Sequence, residues 1–269
     1  MRSPEWEKAC LGVRSSFSYS IARDDQLKLK GLLRLGKDIA PPRTLAAVDA
    51  AYWGQGSTFG VAAALVVDVT SRSVECYYAY GPVCIPYVPG LLAFRELELM
   101  TPALIKATSG RGVDLLLVDG HGIAHPRGFG IASHLGVALR LPSVGVAKGL
   151  LYGREVPCDY GTCIYIGDAA VGAVLRAPTG SRIYVSPGNL VGLKYSVDVV
   201  RSLLVDGLRL PYPLQAADAI SKDLRSMLRG KEPPEVKVKA CDLKEITAFK
   251  NFAEVARRAS LNPRGTPPL

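Results

Sequence analysis

The chain has 269 residues, 48% of them hydrophobic and 21% charged, which suits a folded protein with a proper core and excludes a disordered one. Its longest apolar runs, such as Val61–Val67, are far too short to span a bilayer, and the charged start MRSPEWEKAC lacks the apolar stretch of a secretory signal. The formal net charge of +9, from 33 Lys and Arg against 24 Asp and Glu, fits a polyanionic partner as well as it fits a plain solubilising surface.

Taken in chain order, residues 17–35 read as a basic helix ended at Pro41-Pro42. Thr44–Trp53 reads as a strand, Gly54-Gln55-Gly56 as a turn, and Gly60–Asp68 and Val74–Tyr80 as two further strands joined by a turn at Thr70–Ser73. Short connections make these three strands an antiparallel meander. After the PYVPG loop (Pro86–Gly90), Leu91–Lys106 reads as a helix with a kink or break at Pro102. Val113–Asp119 is a near-continuous apolar strand of the kind covered on both faces. A Gly- and Pro-punctuated loop over 120–130 leads to a helix at Ile131–Arg140 and a buried strand at Pro142–Ala147. Strands at Cys163–Ile166, Val171–Leu175 and Ile183–Val185 follow, then helices at Tyr195–Val205 and Leu214–Leu228. KEPPEVKVKA reads as a linker, Asp242 with Glu245 as a capping box opening a helix to Ala259, and NPRGTPPL as a disordered tail.

Six scattered cysteines without a CxxC pair, beside three histidines, form no zinc pattern, and most read as small buried hydrophobes. Only three Asn and three Gln are present, the amide-poor composition of thermophile proteins, in which intracellular disulfides occur.

Asp49, in LAAVDAAYW, shares a strand face with Leu45, Ala47, Ala51 and Trp53. A charge there is costly unless a cation answers it, whether a bound ion or a neighbouring Arg or Lys. Asp119 ends the strand VDLLLVD, where open α/β sheets place ligands, although a turn Asp is common in that setting. Glu96 lies on the inward face of its helix with Leu92, Leu99 and Ala103, while Glu98 is read as solvated. Carboxylates converging from strands and a helix call for hard divalent cations, which can serve phosphodiester hydrolysis. In PLQAADAISKDL, Asp218 is a further candidate ligand that the pattern alone does not separate from Asp223.

Two loops stand out. The prolines of PYVPG stiffen the loop around Tyr87, which either wedges into a base stack or packs on the next helix. DGHGIAHPRGFGIASH holds Gly120, Gly122, Gly128 and Gly130, and all three histidines, His121, His125 and His134. Glycines let backbone approach a ligand closely, and a helix begins just after them. His134 reads as structural. Lys148 follows the strand PSVGVA near where Asp119 emerges, either as a phosphate contact or as an ordinary solvated lysine.

VDAAY, PYVPGLLAFRE, LLVDGHGIAHPRGFGIASHLGV, PSVGVAKGLLYG and VSPGN, in that order over roughly residues 44–190, closely resemble the signature segments of the endonuclease V family. PLQAAD is similar to its last, looser motif. The resemblance implies an α/β, ribonuclease-H-like fold with a central mixed sheet flanked by helices. It implies metal ligands Asp49, Glu96, Asp119 and Asp218, magnesium as the ion with manganese as the alternative, an active-site Lys148, and Tyr87 as the wedge. The implied substrate is DNA containing deoxyinosine, cut at the second phosphodiester bond on the 3′ side to leave 3′-hydroxyl and 5′-phosphate, a DNA-repair activity. The hypoxanthine pocket is assigned to Gly90, Leu92, Gly120, His125, Gly130 and Ile131, where close backbone can reject adenine and guanine. Gly128 stands where the family often carries a basic residue, and Gly149 where a small polar one is common.

The expectation is thus a soluble, cytoplasmic, monomeric nuclease with no membrane contact. Residues 1–230 are read as the catalytic domain and 231–269 as linker, C-terminal helix and tail. The rival readings are a non-catalytic reader of inosine-containing nucleic acid, an inosine-specific ribonuclease on the same fold, and a small-molecule α/β enzyme.

Overall fold

The fold is taken from a computed structural model, which describes residues 5–36, 39–54, 58–71 and 73–248. Two helices, α1 (Glu5–Ser16) and α2 (Tyr19–Lys30), precede the sheet; the second is opened by the Ser18 side chain, which accepts from Ile21 N–H. The meander follows as β1 (Thr44–Trp53), β2 (Phe59–Asp68) and β3 (Val74–Pro82), antiparallel throughout. Helix α3 (Leu92–Thr108) carries the chain back to β4 (Leu115–Asp119), and α4 (Ile131–Leu139) to β5 (Ser143–Ala147). Both strands extend the sheet in parallel from β1. Strands β6 (Arg154–Cys158), β7 (Gly161–Ile166), β8 (Ala169–Arg176) and β9 (Arg182–Asn189) form an antiparallel run, docked through β9 against β5. Helices α5 (Leu193–Ser202) and α6 (Tyr212–Leu228) come next, then β10 (Lys237–Ala240) beside β3.

The strand order is β10-β3-β2-β1-β4-β5-β9-β8-β7-β6. A three-strand antiparallel meander followed by two parallel strands reached through helices is the ribonuclease-H-like core. Strand alternation splits the core into two layers. Ala46, Val48, Ala62 and Ala64 face Leu99, Met100, Ala103 and Leu104 of α3 and Leu135 of α4. Leu45, Ala47, Ala63 and Leu117 face Val197 and Val200 of α5 and Leu214, Ala217 and Ile220 of α6. Asp49 belongs to the second face, so it points toward α6. Among the described residues no helix is long and apolar enough to cross a membrane.

Several expectations change. Helix α3 runs through Pro102 to Thr108, so the proline does not end it. The linker segment contains β10, which pairs with Tyr77–Tyr80 of β3. β6 was not anticipated, because an edge strand reading REVPC is mostly exposed and carries no apolar alternation. Asp242 does not open a helix. Residues 243–245 turn, helical backbone begins at 247, and Ala248 N–H is capped by the Asp223 carboxylate at 2.7 Å. The turn at Gly54–Gly56 falls largely, and the helix to Ala259 and the tail almost wholly, outside the described residues.

All six cysteines are paired, as Cys10–Cys84, Cys76–Cys241 and Cys158–Cys163. The buried-hydrophobe reading of most of them therefore gives way to disulfides. Two bridges join residues 74 and 165 positions apart, which no local spacing signals. Cys10–Cys84 ties α1 to the segment after β3, and Cys76–Cys241 ties the end of β10 to β3. Each such bridge typically contributes about 2–4 kcal/mol. The unreduced protein should show no titratable thiols. Exchanging Cys76 and Cys241 for Ser should lower the melting temperature by about 5–15 °C; free thiols in the native protein would show that the bridges are not formed.

Candidate metal centre and base pocket

Asp49 is buried in the middle of β1, and its Oδ2 accepts from the Ser221 hydroxyl of α6 at 2.8 Å. Asp119 ends β4, and Asp218 projects from α6. One carboxylate oxygen from each of these three lies within 4.8 Å of the others. Asp223, the rival to Asp218, is instead spent on capping Ala248. Glu96 of α3 stands outside that tight trio but lines the same cavity, of about 660 Å³, which Leu92, Tyr87, Gly120 and Lys148 also line. Its Oε2 is buried with no hydrogen-bond partner.

Burial first, and then the neighbouring Asp119 charge, push the Asp49 carboxyl up to about 7. Burial, with Asp49 and Asp119 nearby, pushes Glu96 up to about 8. Lys148, just beyond β5, supplies the local counter-charge: its Nζ contacts Asp119 Oδ2 and donates to Asp218 Oδ1 at 2.8 Å. Burial works against its charge, but the two carboxylates outweigh it and hold the ammonium protonated well above its ordinary range. Asp218 is answered a second time by Lys222, one helical turn on, at 2.6 Å. Burial opposes its ionisation, yet the two lysines hold its carboxyl below the usual value. Lys148 is thus no ordinary solvated lysine.

The PYVPG loop sits at the cavity's side. Tyr87 is 65% exposed and is not packed away on α3. Glu98 is not solvated as expected. Its carboxylate accepts from Cys84 N–H at 3.1 Å and Ile85 N–H at 2.9 Å, which anchors the loop's entry. At the exit, Gly90 has φ +78°, a conformation that glycine adopts without strain. Its carbonyl accepts from His125 Nε2 at 3.0 Å. His125 Nδ1 accepts from Arg127 N–H at 3.2 Å, so the proton belongs on Nε2. Burial, then the Arg127 charge, lowers His125 to about 4, keeping the ring neutral.

The 120–130 loop folds back on itself. Gly130 N–H donates to Gly122 O at 2.8 Å, and Gly122 N–H to the Ser186 hydroxyl at 2.8 Å. Gly120 has φ +148°, and a Cβ there would overlap the Ile131 side chain. Gly120 and Ile131 therefore touch, as do the Gly90 and His125 segments. His134 packs between Phe94 and Phe129 in a structural role. Lys30 of α2 brings its Nζ within 2.9 Å of where a Cβ on Gly128 would lie, so a basic group does reach the position that lacks one in sequence.

Sequence reasoning missed Ser221, Lys222, Glu98 and Gln26, the last a buried side chain of α2 that donates to Phe129 O and accepts from Arg127 Nε. Lys222 had a signal, the i,i+4 spacing from Asp218. The other three act across tertiary contacts and had none.

The comparisons with known proteins agree with this geometry. The family model described as Endonuclease V matches residues 27–219. An endonuclease V from Aeropyrum pernix is 42% identical over 219 residues, covering 81% of this chain and 84% of its own. The crystal structure of the Bacillus subtilis endonuclease V superposes with a TM-score of 0.72 at 31% identity, covering 80% of this chain and 95% of that one. Endonuclease V of Ciona intestinalis, solved in complex with a 24-mer DNA containing an inosine followed by a ribo-adenosine, gives a TM-score of 0.67 at 23% identity. It covers 80% of this chain and all of its own. The family match takes in the trio of aspartates, Glu96, Lys148 and both loops, and the chain belongs to the endonuclease V family.

Proposed function

We propose that this chain is a metal-dependent endonuclease that recognises deoxyinosine in DNA and hydrolyses the second phosphodiester bond on its 3′ side, leaving 3′-hydroxyl and 5′-phosphate. The observation that carries the reading is the meeting of Asp49, Asp119 and Asp218 within 4.8 Å, in a cavity that the exposed Tyr87 also lines. Inosine-containing DNA bound to the Ciona relative supports the substrate class.

The residues fit a hard cation. The donor set is all oxygen, with no sulfur or imidazole in the trio. Glu96 brings a buried, unpartnered carboxylate oxygen, and the Lys148 ammonium already occupies a cation's place between Asp119 and Asp218. Asp49, Glu96, Asp119 and Asp218 would hold magnesium, with manganese as the alternative. Bound there, the ion would supply Lewis-acid stabilisation of the phosphate and activation of water. Lys148 is the group we assign to the scissile phosphate, and Ser221 orients Asp49. Tyr87 is assigned to the space left by the extruded base. Gly90, Leu92, Gly120, His125, Gly130 and Ile131 form the proposed base pocket, with neutral His125 holding Gly90 in place. The protein acts as a monomer.

The first test is cleavage of end-labelled duplex DNA with one deoxyinosine, beside an undamaged duplex and an inosine-containing RNA, with Mg²⁺ or EDTA. A Mg²⁺-dependent cut one nucleotide beyond the inosine is expected; inosine-dependent binding without cutting would favour a non-catalytic reader. Asp49→Asn should lose cutting by more than the roughly 10–100-fold typical of an outer-sphere change. Because the substitution removes a poorly solvated charge, its melting temperature in EDTA should equal or exceed that of the wild type. Substantial nicking by Asp49→Asn would remove the residue from the site. Tyr87→Ala should weaken binding to the lesion duplex by about 1–3 kcal/mol and binding to undamaged DNA far less; equal losses would end its wedge assignment.

The raised carboxyls also set a pH dependence. Asp49 and Glu96 titrate at about 7 and about 8 in the folded chain, against ordinary values of 3.8 and 4.5. Their contribution to stability is therefore present at low pH and is lost as pH rises through the folded values. In EDTA, the melting-temperature advantage of Asp49→Asn over the wild type should widen from about pH 5 to about pH 8.5, and Mg²⁺ should narrow it again. A pH-independent difference would mean that Asp49 ionises normally.

A further inference from the structure

Helix α2 lies mostly exposed along the outside of the fold, with Tyr19, Ile21 and Leu27 open to solvent, yet Gln26 is 0% exposed. Burying a primary amide is costly unless both its ends are answered. Both are. Gln26 Nε2 donates to Phe129 O at 2.7 Å and to Gly90 O at 3.4 Å, while Oε1 accepts from Arg127 Nε. Two carbonyls on one side and a guanidinium on the other leave a single consistent orientation of the amide.

These partners belong to two separate loops. Gly90 is the exit of the PYVPG loop that presents Tyr87, and Phe129 and Arg127 belong to the glycine-rich loop of the base pocket. The Gly90 carbonyl gathers donors from Gln26, from His125 Nε2 at 3.0 Å and from Arg127 Nη2. The loop's other end is fixed independently: Glu98 accepts from Cys84 and Ile85 N–H, and Arg95 Nη1 donates to Ile85 O at 2.7 Å. The Tyr87 span is therefore pinned at both ends; His125 and Arg127 bond its exit from the pocket loop itself, and Gln26 ties both loops to α2.

We propose that Gln26 is a positioning residue for lesion discrimination: from α2, it fixes the spacing between the wedge loop and the base-pocket loop. The inference rests on the deoxyinosine reading above. Gln26 is not one of the metal-centre residues, so its effect falls on which base is accepted rather than on strand scission. The role needs a donor and an acceptor on one flexible stem. Gln26→Met keeps the length and leaves Phe129 O without its partner. Gln26→Glu keeps the link to Arg127 but sets a second oxygen against Phe129 O.

The test measures Kd for a deoxyinosine duplex and for an undamaged duplex in EDTA, and kcat and KM for nicking with Mg²⁺, on the full chain. The ratio of the two Kd values should fall by at least about tenfold in Gln26→Met and in Gln26→Glu, with the loss in nicking carried by KM more than by kcat. A role confined to general stability would lower the melting temperature without moving that ratio. If Gln26→Met does not fold, Gln26→Glu decides, since it keeps the link to Arg127 while losing the amide's donors to Phe129 O and Gly90 O. A wild type with no preference for inosine overturns the functional reading, and this inference with it. A selective wild type with equally selective folded variants overturns the inference alone.

Discussion

Negative charge concentrated in one place is the constraint around which this molecule is arranged. Asp49, Asp119 and Asp218 come from a central strand, the end of a parallel neighbour and a helix on the covering layer, and their oxygens meet within 4.8 Å. Such a cluster opposes folding unless cations or protons relieve it. The chain uses both. Lys148 sits between Asp119 and Asp218, and Lys222 holds Asp218 from the solvent side. Asp49 and Glu96, which lack so close a cation, keep their protons into the neutral range. The proposed metal site thus carries its own internal counter-charge, in Lys148 and Lys222.

The proposed base-pocket loops follow a different rule: almost every feature there is backbone. Gly90, Gly120 and Gly130 bring main chain close to side chains and to other main chain, and the polar side chains around them (His125, Arg127, Glu98) are spent on holding loops rather than offered to a ligand. A neutral imidazole suits the task, since His125 can then donate at one nitrogen and accept at the other.

Much of this was legible in the sequence. The reading of Thr44–Trp53 meets its observed bounds because a near-continuous apolar run between Pro41-Pro42 and Gly54, with one out-of-place Asp, has few explanations, and the helices that begin at Ile131 and Tyr212 lie close to their expected bounds. The carboxylates, Lys148 and both loops were singled out from motif context. What could not be read was whatever depends on residues far apart in the chain. The disulfides span separations of up to 165 residues. Glu98 reads as solvated because it lies roughly opposite the inward face of α3, and the returning loop entry gives it partners. Gln26 looked like one polar residue among many on a basic helix. The KVKA strand is too short and too charged to announce itself, and it forms because β3 offers an unpaired edge. Asp218, which the pattern alone does not separate from Asp223, joins Asp49 and Asp119 in the trio, while Glu96 stands outside it and lines the same cavity.

Both ends of the ten-stranded sheet finish on strands that are poor templates. β10 carries Lys237 and Lys239 and is tethered beside β3 through Cys241. β6 carries Arg154, Glu155 and Pro157, and ends on a cysteine bridged across its own hairpin. An open sheet invites the strands of another molecule to add at its margins, and charged residues, proline and short length are the means by which proteins refuse that pairing. Here the refusal on one side is supplied by a segment beyond the family match, which ends at residue 219. Without residues 237–240, the row of backbone groups on β3 from Tyr77 to Tyr80 would face outward, in a strand of tyrosines well suited to stacking. The segment that follows the family match thus closes the β3 edge with a short strand that carries Lys237 and Lys239.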